Sequence, residues 1–147
     1  QQTGAKLSVI LRAFKELRLD LVQLHGNESP EYARALKLPL IKALSRPKGW
    51  EKYGAKAVLL EPERKGRAPS SSEQASTWRG LAAMKRRGAR VLLAGGLTPE
   101  NVAEAAARKP WAVDVSSGIE RAPGKKDASR LRRFFAAAGT GRKVLRF

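Results

Sequence analysis

The sequence predicts an α/β fold built on a parallel β-sheet, and three observations support this prediction. Short apolar segments alternate with segments of helical apolar spacing along most of the 147 residues. The connections between apolar segments are long enough to return the chain over a helix or a long loop, which is the geometry of parallel strands. The apolar segments are also continuous rather than alternating, as expected for strands covered on both faces.

Five segments are short and apolar enough for buried strands, and polar residues or glycine follow each of them. They comprise residues 20–24, 38–44, 56–61, 90–94 and 111–115. Before the first strand, apolar residues recur every three or four positions, which predicts an amphipathic helix. Its apolar residues are Leu7, Ile10, Leu11, Phe14 and Leu17.

Three later helices are marked by their first residues. Ser29-Pro30 and Thr98-Pro99 each place a capping hydroxyl before a proline in the first helical turn. Asp127 is suited to cap the last helix. We expect one face of that helix to be buried, with the apolar residues Leu131, Phe134, Phe135 and Ala138.

A long polar loop over residues 62–72 separates the third strand from the next helix. That helix carries Trp78, Leu81 and Met84 and ends near Gly88. The elements together predict one α/β domain over residues 1–138 and a basic tail over residues 139–147.

The composition excludes several classes of site and protein. Hydrophobic residues make up 42% of the chain, which is typical of a globular domain. No apolar run approaches the roughly 18 residues of a membrane span, so we expect a soluble, cytoplasmic protein. The absence of cysteine and the single histidine, His25, exclude disulfides, thiol nucleophiles and a His/Cys metal site within these residues.

The net charge of +17 is unevenly distributed. The last segment, from Arg121 to Phe147, holds nine Lys and Arg residues and one acid, Asp127. Such a cluster attracts polyanions and supports salt-dependent contact with RNA or DNA. The alternative is a solvated basic surface without a dedicated partner.

Polar residues and glycines collect just after the predicted strands. The carboxyl ends of parallel strands form the edge at which ligands bind in such folds. Glycine-rich turns that lead into helices suit a phosphate, because backbone N–H groups and the helix dipole both favour an anion. The residues at this edge are Gln23, His25, Lys42, Glu61, Gly95, Gly96, Asp114, Ser116, Ser117 and Gly118.

Three motifs in this order resemble phosphoribosylanthranilate isomerase of tryptophan biosynthesis. They read LDLVQLHGNESPEY, VLLAGGLTPENV and AVDVSSGIERAPGKKD. The resemblance implies a (β/α)8 barrel that converts N-(5-phosphoribosyl)anthranilate to its 1-deoxyribulose isomer without a metal or an organic cofactor. It also implies that Gly95, Gly96 and residues 116–118 hold the substrate phosphate. Asp114 would lie by the sugar hydroxyls, with Gln23 and His25 lining the pocket.

The chain departs from that family at several positions. The family's general base is a cysteine on the first strand, and no cysteine exists here. The position of the family's acidic Asp is Glu61, which we interpret as catalytic together with Asp114. The loop that follows lacks a Gly-Gly-x-Gly run and contains only Gly66. Five strands instead of eight indicate that the N-terminal third of the barrel is missing.

Two functions therefore remain open. The first is an isomerase whose missing strands come from the rest of the polypeptide or from another chain, with a phosphosugar as substrate. The second is an inactive descendant that acts as a structural or RNA-associated basic protein. The retained glycine turns favour the isomerase, because a basic scaffold does not need them.

Overall fold

The computed structural model describes residues 6–63 and 67–139, and it confirms the α/β class. All five predicted strands are present and form one parallel sheet in sequence order. The strands are β1 (Val22–Leu24), β2 (Leu40–Leu44), β3 (Ala57–Leu60), β4 (Val91–Leu93) and β5 (Ala112–Val113). Sequential order with crossover connections is the arrangement of consecutive units in a (β/α)8 barrel.

Six α-helices occur within the described ranges. They are α1 (Leu7–Glu16), α2 (Pro30–Leu36), α3 (Ser71–Arg79), α4 (Leu81–Arg86), α5 (Val102–Ala107) and α6 (Ala128–Ala137). Two short 3-10 helices span Trp50–Tyr53 and Ser117–Ile119. None of the helices in residues 6–63 and 67–139 is long and apolar enough to cross a membrane.

The helix starts follow the predicted caps at two of three places. The Ser29 hydroxyl accepts a hydrogen bond from the Tyr32 N–H at 3.2 Å, and the Asp127 carboxylate accepts one from the Arg130 N–H at 2.8 Å. The third helix begins later than predicted, at Val102. Its first residues form a separate turn instead, because the Asn101 side-chain oxygen accepts a hydrogen bond from the Thr98 N–H at 2.8 Å.

The helix predicted through Trp78, Leu81 and Met84 is in fact two helices, α3 and α4, that meet at Gly80. A Cβ on Gly80 would lie 2.5 Å from the side chain of Pro47. The glycine therefore allows the segment after β2 to pack directly on the junction between the two helices.

The two faces of the sheet pack into different clusters, which confirms that both are covered. Val58 and Leu60 of β3 point into the larger core, against Trp78, Leu81, Val102 and other residues of α3 to α6. Their neighbours Ala57 and Leu59 point to the opposite face, with Ile41, Ala43 and Ala94. A third cluster joins α2 to the first two strands through Leu24, Ala33, Leu36 and Leu40.

The two outer helices bury less than the inner ones. Phe135 was predicted on the buried face of α6, and that prediction is wrong: it is 60% exposed, whereas Phe134 is 2% exposed. Adjacent helical residues point about 100° apart, so only one of the two can face the core. No residue of α1 is buried, and exposed apolar side chains at this end are Val9, Leu11, Leu17 and Leu19.

A short antiparallel hairpin follows β5 and was not predicted. It pairs β6 (Glu120–Ala122) with β7 (Lys125–Lys126) around Gly124, which has a φ of +74°. Its charged residues give no apolar strand pattern. The predicted basic tail lies outside the described residues from residue 140 onward.

Candidate active site

The predicted site residues converge on a cavity of about 590 Å³ at the carboxyl ends of the strands. Three ionisable side chains face it from three different strand ends: His25, Glu61 and Asp114. The opposite wall is formed by the loops that follow β4 and β5, together with the loop before α3. Its residues include Pro69, Gly95, Gly96, Leu97, Ser116, Ser117 and Gly118.

His25 is held between two side chains. Its Nε2 lies 2.5 Å from Oε1 of Glu61, and its Nδ1 lies 3.0 Å from the amide nitrogen of Gln23. An amide NH₂ can only donate, so Nδ1 accepts and Nε2 carries the proton that is donated to Glu61. Gln23 thus positions the imidazole rather than lining the main cavity, and the imidazole in turn holds the Glu61 carboxyl through its Nε2.

Asp114 is a half-buried carboxyl on the other side of this pair. Burial raises the pKa of Asp114 above its ordinary value, and the nearby negative charge of Glu61 raises it further. The positive charge of Lys126 acts in the opposite direction and is outweighed. Two carboxyl groups close to each other in a partly desolvated cavity favour a site in which one of them keeps its proton.

The Gly95-Gly96 turn has a backbone that only glycine adopts readily. Its φ angles are +83° and +70°. The side-chain amide of Gln74, which is 5% exposed, donates to the carbonyl oxygens of Gly95 and Gly96 at 3.0 and 2.8 Å. Asn101 donates to the Gly96 carbonyl as well, at 3.0 Å. Because a trans peptide directs its C=O and N–H in opposite directions, the N–H groups of Gly96 and Leu97 face away from Gln74.

The loop after β5 packs directly against that turn. A Cβ on Gly118 would lie 1.7 Å from the carbonyl oxygen of Leu97, so no side chain fits there. Lys126 of the hairpin donates to the carbonyl oxygen of Ser116 at 2.9 Å and to the Glu120 carboxylate at 2.7 Å. The two loops therefore form one continuous backbone surface in which several peptide groups have fixed directions.

A second cavity of about 550 Å³ adjoins the first and shares His25 and Glu61 with it. Lys42, which is 1% exposed, reaches its edge from β2. Its ammonium group donates to the carboxylate of Glu28 and to the carbonyl oxygen of Gly26, each at 2.7 Å.

The structure thus brings together the residues predicted on sequence grounds and adds others. Eight of them line the main cavity: His25, Glu61, Gly95, Gly96, Asp114, Ser116, Ser117 and Gly118. The residues that sequence reasoning missed are Glu28, Gln74, Asn101 and Lys126, which hold backbone groups in place. Their partners are 10 to 27 residues away in most cases, so no local pattern marks them. Within residues 6–63 and 67–139 no group of three His, Cys, Asp or Glu side chains is arranged for a metal ion.

Comparison with known proteins shows the family to which the chain belongs. The family model of N-(5'-phosphoribosyl)anthranilate (PRA) isomerase matches residues 3–137. The N-(5'-phosphoribosyl)anthranilate isomerase of Geobacter sp. (strain M21) is 42% identical over 141 residues, which cover 91% of this chain and 68% of the relative.

Solved structures agree with the sequence relatives. The crystal structure of phosphoribosyl anthranilate isomerase from Thermus thermophilus superposes with a TM-score of 0.73 at 41% identity, covering 91% of this chain and 68% of that one. A second isomerase structure contains reduced 1-(o-carboxyphenylamino)-1-deoxyribulose 5-phosphate. It has a TM-score of 0.71 and 31% identity, and the match covers 92% of this chain and 67% of that one. The chain spans about two thirds of these relatives, and none of the matches supports an RNA-associated protein.

Proposed function

The chain belongs to the N-(5'-phosphoribosyl)anthranilate isomerase family of (β/α)8-barrel enzymes of tryptophan biosynthesis, and we propose that it carries the phosphate-binding and acid half of that active site. The single observation that supports this most strongly is the backbone surface formed by the loops after β4 and β5. The substrate class is a phosphosugar. We place the function in the cytoplasm, because a charged phosphosugar does not cross membranes freely.

We assign the phosphate to the loops that contain Gly95, Gly96, Ser116, Ser117 and Gly118. Peptide N–H groups that converge on one cavity form an anion-binding site without any charged side chain. The carbonyl groups that would repel an anion are turned toward Gln74, Asn101 and Lys126.

We assign the proton transfer at the sugar to Glu61 and place Asp114 beside the sugar hydroxyls. In an Amadori rearrangement, an acid protonates the furanose ring oxygen and the C1–O bond breaks to give an iminium ion. A base then removes the proton from C2 to give an enaminol with a C1=C2 double bond, which becomes the ketone when C1 gains a proton and the C2 hydroxyl loses its own. Glu61 fits the first step in its protonated form, because its carboxyl faces the cavity and its Oε1 is held in place by the hydrogen bond to His25.

The second step needs a base. In the family this base is a cysteine, and the chain contains no cysteine. Within the described residues, β1 and β5 are the edge strands of the sheet, and each is paired on one side only. Exposed apolar residues lie on α1 and α6, next to these two edges. We propose that three further strands close the barrel here and bring the base, either from the rest of the polypeptide or from another chain.

Phosphate binding tests the proposal directly. In the 147-residue chain, inorganic phosphate should shift the amide signals of Gly96, Leu97 and residues 116–118 in a ¹H–¹⁵N NMR titration. Gly96→Ala should weaken binding about tenfold or more, because its Cβ would lie 2.7 Å from Gln74 Nε2 and from Pro69.

Gly88→Ala is the matched control. Gly88 also has a positive φ, +85°, but a Cβ there meets nothing within 4 Å, so the variant carries the same backbone strain away from the cavity. Equal phosphate affinity in the two variants, or shifts confined to other regions, would refute the assignment of the loops.

A further inference from the structure

Lys42 and Glu28 form a charged pair at the edge of the second cavity that the reaction scheme above does not use. Lys42 is 1% exposed, and its ammonium group lies 2.7 Å from the Glu28 carboxylate and 5.3 Å from the centre of the Tyr53 ring. Although burial alone would raise the pKa of Glu28, hydrogen bonds from Lys42 and from backbone N–H groups keep it below its ordinary value. The Glu28 carboxyl is therefore ionised at neutral pH.

Lys42 and Glu28 form hydrogen bonds with both backbone groups of one residue, Gly26. Lys42 donates to the carbonyl oxygen of Gly26, and the Glu28 carboxylate accepts from the N–H of Gly26 at 3.0 Å. The same oxygen of Glu28 accepts both the Gly26 and the Lys42 hydrogen bonds. Gly26 has no side chain of its own with which to hold this turn, so the direction of its two peptide groups depends on the pair.

Gly26 directly follows His25, whose ring must reach Glu61 across the sheet. His25 leaves β1 at Leu24, and its Nε2 meets a carboxylate 36 residues further along the chain. The peptide after His25 is part of the backbone that carries the imidazole, so a turn that is not held at Gly26 leaves the 2.5 Å contact with Glu61 less well fixed.

We propose that Lys42 and Glu28 are positioning residues that fix the turn at Gly26 and thereby hold the His25 imidazole against Glu61. This inference rests on the proposed function, in which the pair of His25 and Glu61 carries the proton. Lys42 acts through the backbone and does not touch the substrate. Its position on β2, between β1 and β3, explains how one side chain can reach the turn that follows the neighbouring strand.

The single histidine of the chain gives a direct measurement. Long-range ¹H–¹⁵N correlation of the imidazole reports which ring nitrogen carries the proton, without assignment of other side chains. In the wild-type chain Nδ1 and Nε2 should give two well-separated ¹⁵N signals, with the proton on Nε2. In Lys42→Met the separation should shrink toward that of a free, exchanging imidazole, while the backbone amide spectrum stays dispersed.

Two further variants keep the test decisive. Glu28→Ala should produce the same change, whereas Glu28→Gln should restore most of the wild-type signal, because an amide oxygen can still accept from Lys42 and Gly26. Lys85→Met is the matched control: Lys85 also donates to a backbone carbonyl, that of Lys109 at 2.6 Å, but far from His25.

The outcomes are distinct. Unchanged imidazole signals in a folded Lys42→Met or Glu28→Ala chain overturn the proposal, as does an equal change in Lys85→Met. If Lys42→Met does not fold, the imidazole signals of Glu28→Ala and Glu28→Gln test the proposal instead. Because the readout needs neither phosphate nor turnover, failure of the loops to bind phosphate would refute the proposed function without affecting this result.

Discussion

The loops after β4 and β5 and the ends of β1 and β3 face one cavity, which the end of β2 adjoins, but the two regions are built in different ways. The former region consists of backbone, and Gly118 packs so closely that a single methyl group would overlap the carbonyl of Leu97. The latter consists of side chains: His25 is hydrogen-bonded to Glu61, and Lys42 beside them is hydrogen-bonded to Glu28 and to the Gly26 carbonyl oxygen. We therefore expect the backbone region to be disrupted by substitutions that add atoms. The side-chain region should be disrupted by substitutions that remove a functional group.

The largest effect concerns the side-chain region. The 147-residue chain alone should not convert phosphoribosylanthranilate, because it lacks the base. Combined with the N-terminal third of the Geobacter relative, it should regain turnover, followed by the change in anthranilate fluorescence. In that complex Glu61→Gln should lower turnover about 10²- to 10⁴-fold, as expected for the loss of a general acid.

Glu63→Gln is the control for that experiment, since Glu63 lines the same cavity two residues further on. It should leave turnover within a few-fold of wild type. Turnover by the chain alone would show that the base lies within these residues, and full activity of Glu61→Gln would remove the acid role.

The next largest effect concerns the backbone region. Gly118→Ala places a Cβ 1.7 Å from the Leu97 carbonyl oxygen, and relief requires movement of backbone rather than of a flexible side chain. We expect a loss of about 3 kcal/mol or more in unfolding free energy, together with loss of phosphate binding. Gly124→Ala, in the open hairpin turn, should cost only about 1–2 kcal/mol from its positive φ. Equal urea denaturation midpoints would contradict the packing argument.

A smaller effect is expected at Gln74, where a side chain supports the backbone region. Gln74→Leu removes both donors to the Gly95 and Gly96 carbonyls and leaves these buried oxygens with fewer partners. The cost should be about 1–3 kcal/mol of stability, with weaker phosphate binding. Ser76→Ala on the exposed side of the same helix should change neither quantity. A Gln74→Leu chain that binds phosphate like wild type would show that phosphate binding does not depend on this support.

The smallest effect concerns Asp114 and its pH dependence. Its raised pKa means that the folded chain binds this proton more tightly than the unfolded chain, so its contribution to stability is lost as pH rises through the folded pKa. Asp114→Asn should therefore raise the thermal midpoint slightly at neutral pH, and the gain should vanish in acid, below the ordinary pKa of an Asp carboxyl. A gain that grows in acid would reverse the assigned sign.

Much of the fold and part of the site could be predicted from local patterns. Continuous apolar segments marked all five strands, and Ser29 and Asp127 marked two helix starts, because capping is a contact between residues three positions apart. The Gly-Gly turn and the Ser-Ser-Gly turn were also visible, since their residue types are unusual after an apolar strand. The exposure of Phe135 could not be predicted in this way. The sequence does not show which of the two adjacent phenylalanines packs against the core, because that depends on how the helix is oriented on the sheet.

The sequence by itself determined the class of the fold, the positions of its five strands along the chain and the edge at which the polar residues collect. These features follow from hydrophobic spacing and from the rule that parallel strands end at a common edge. Only the tertiary structure decided three hydrogen-bonding contacts: His25 with Glu61, Gln74 with the carbonyl oxygens of Gly95 and Gly96, and Lys42 with the carbonyl oxygen of Gly26. Each of these contacts joins residues 16 to 36 positions apart, and such distances are set by the packing of neighbouring strands rather than by any local preference of the chain.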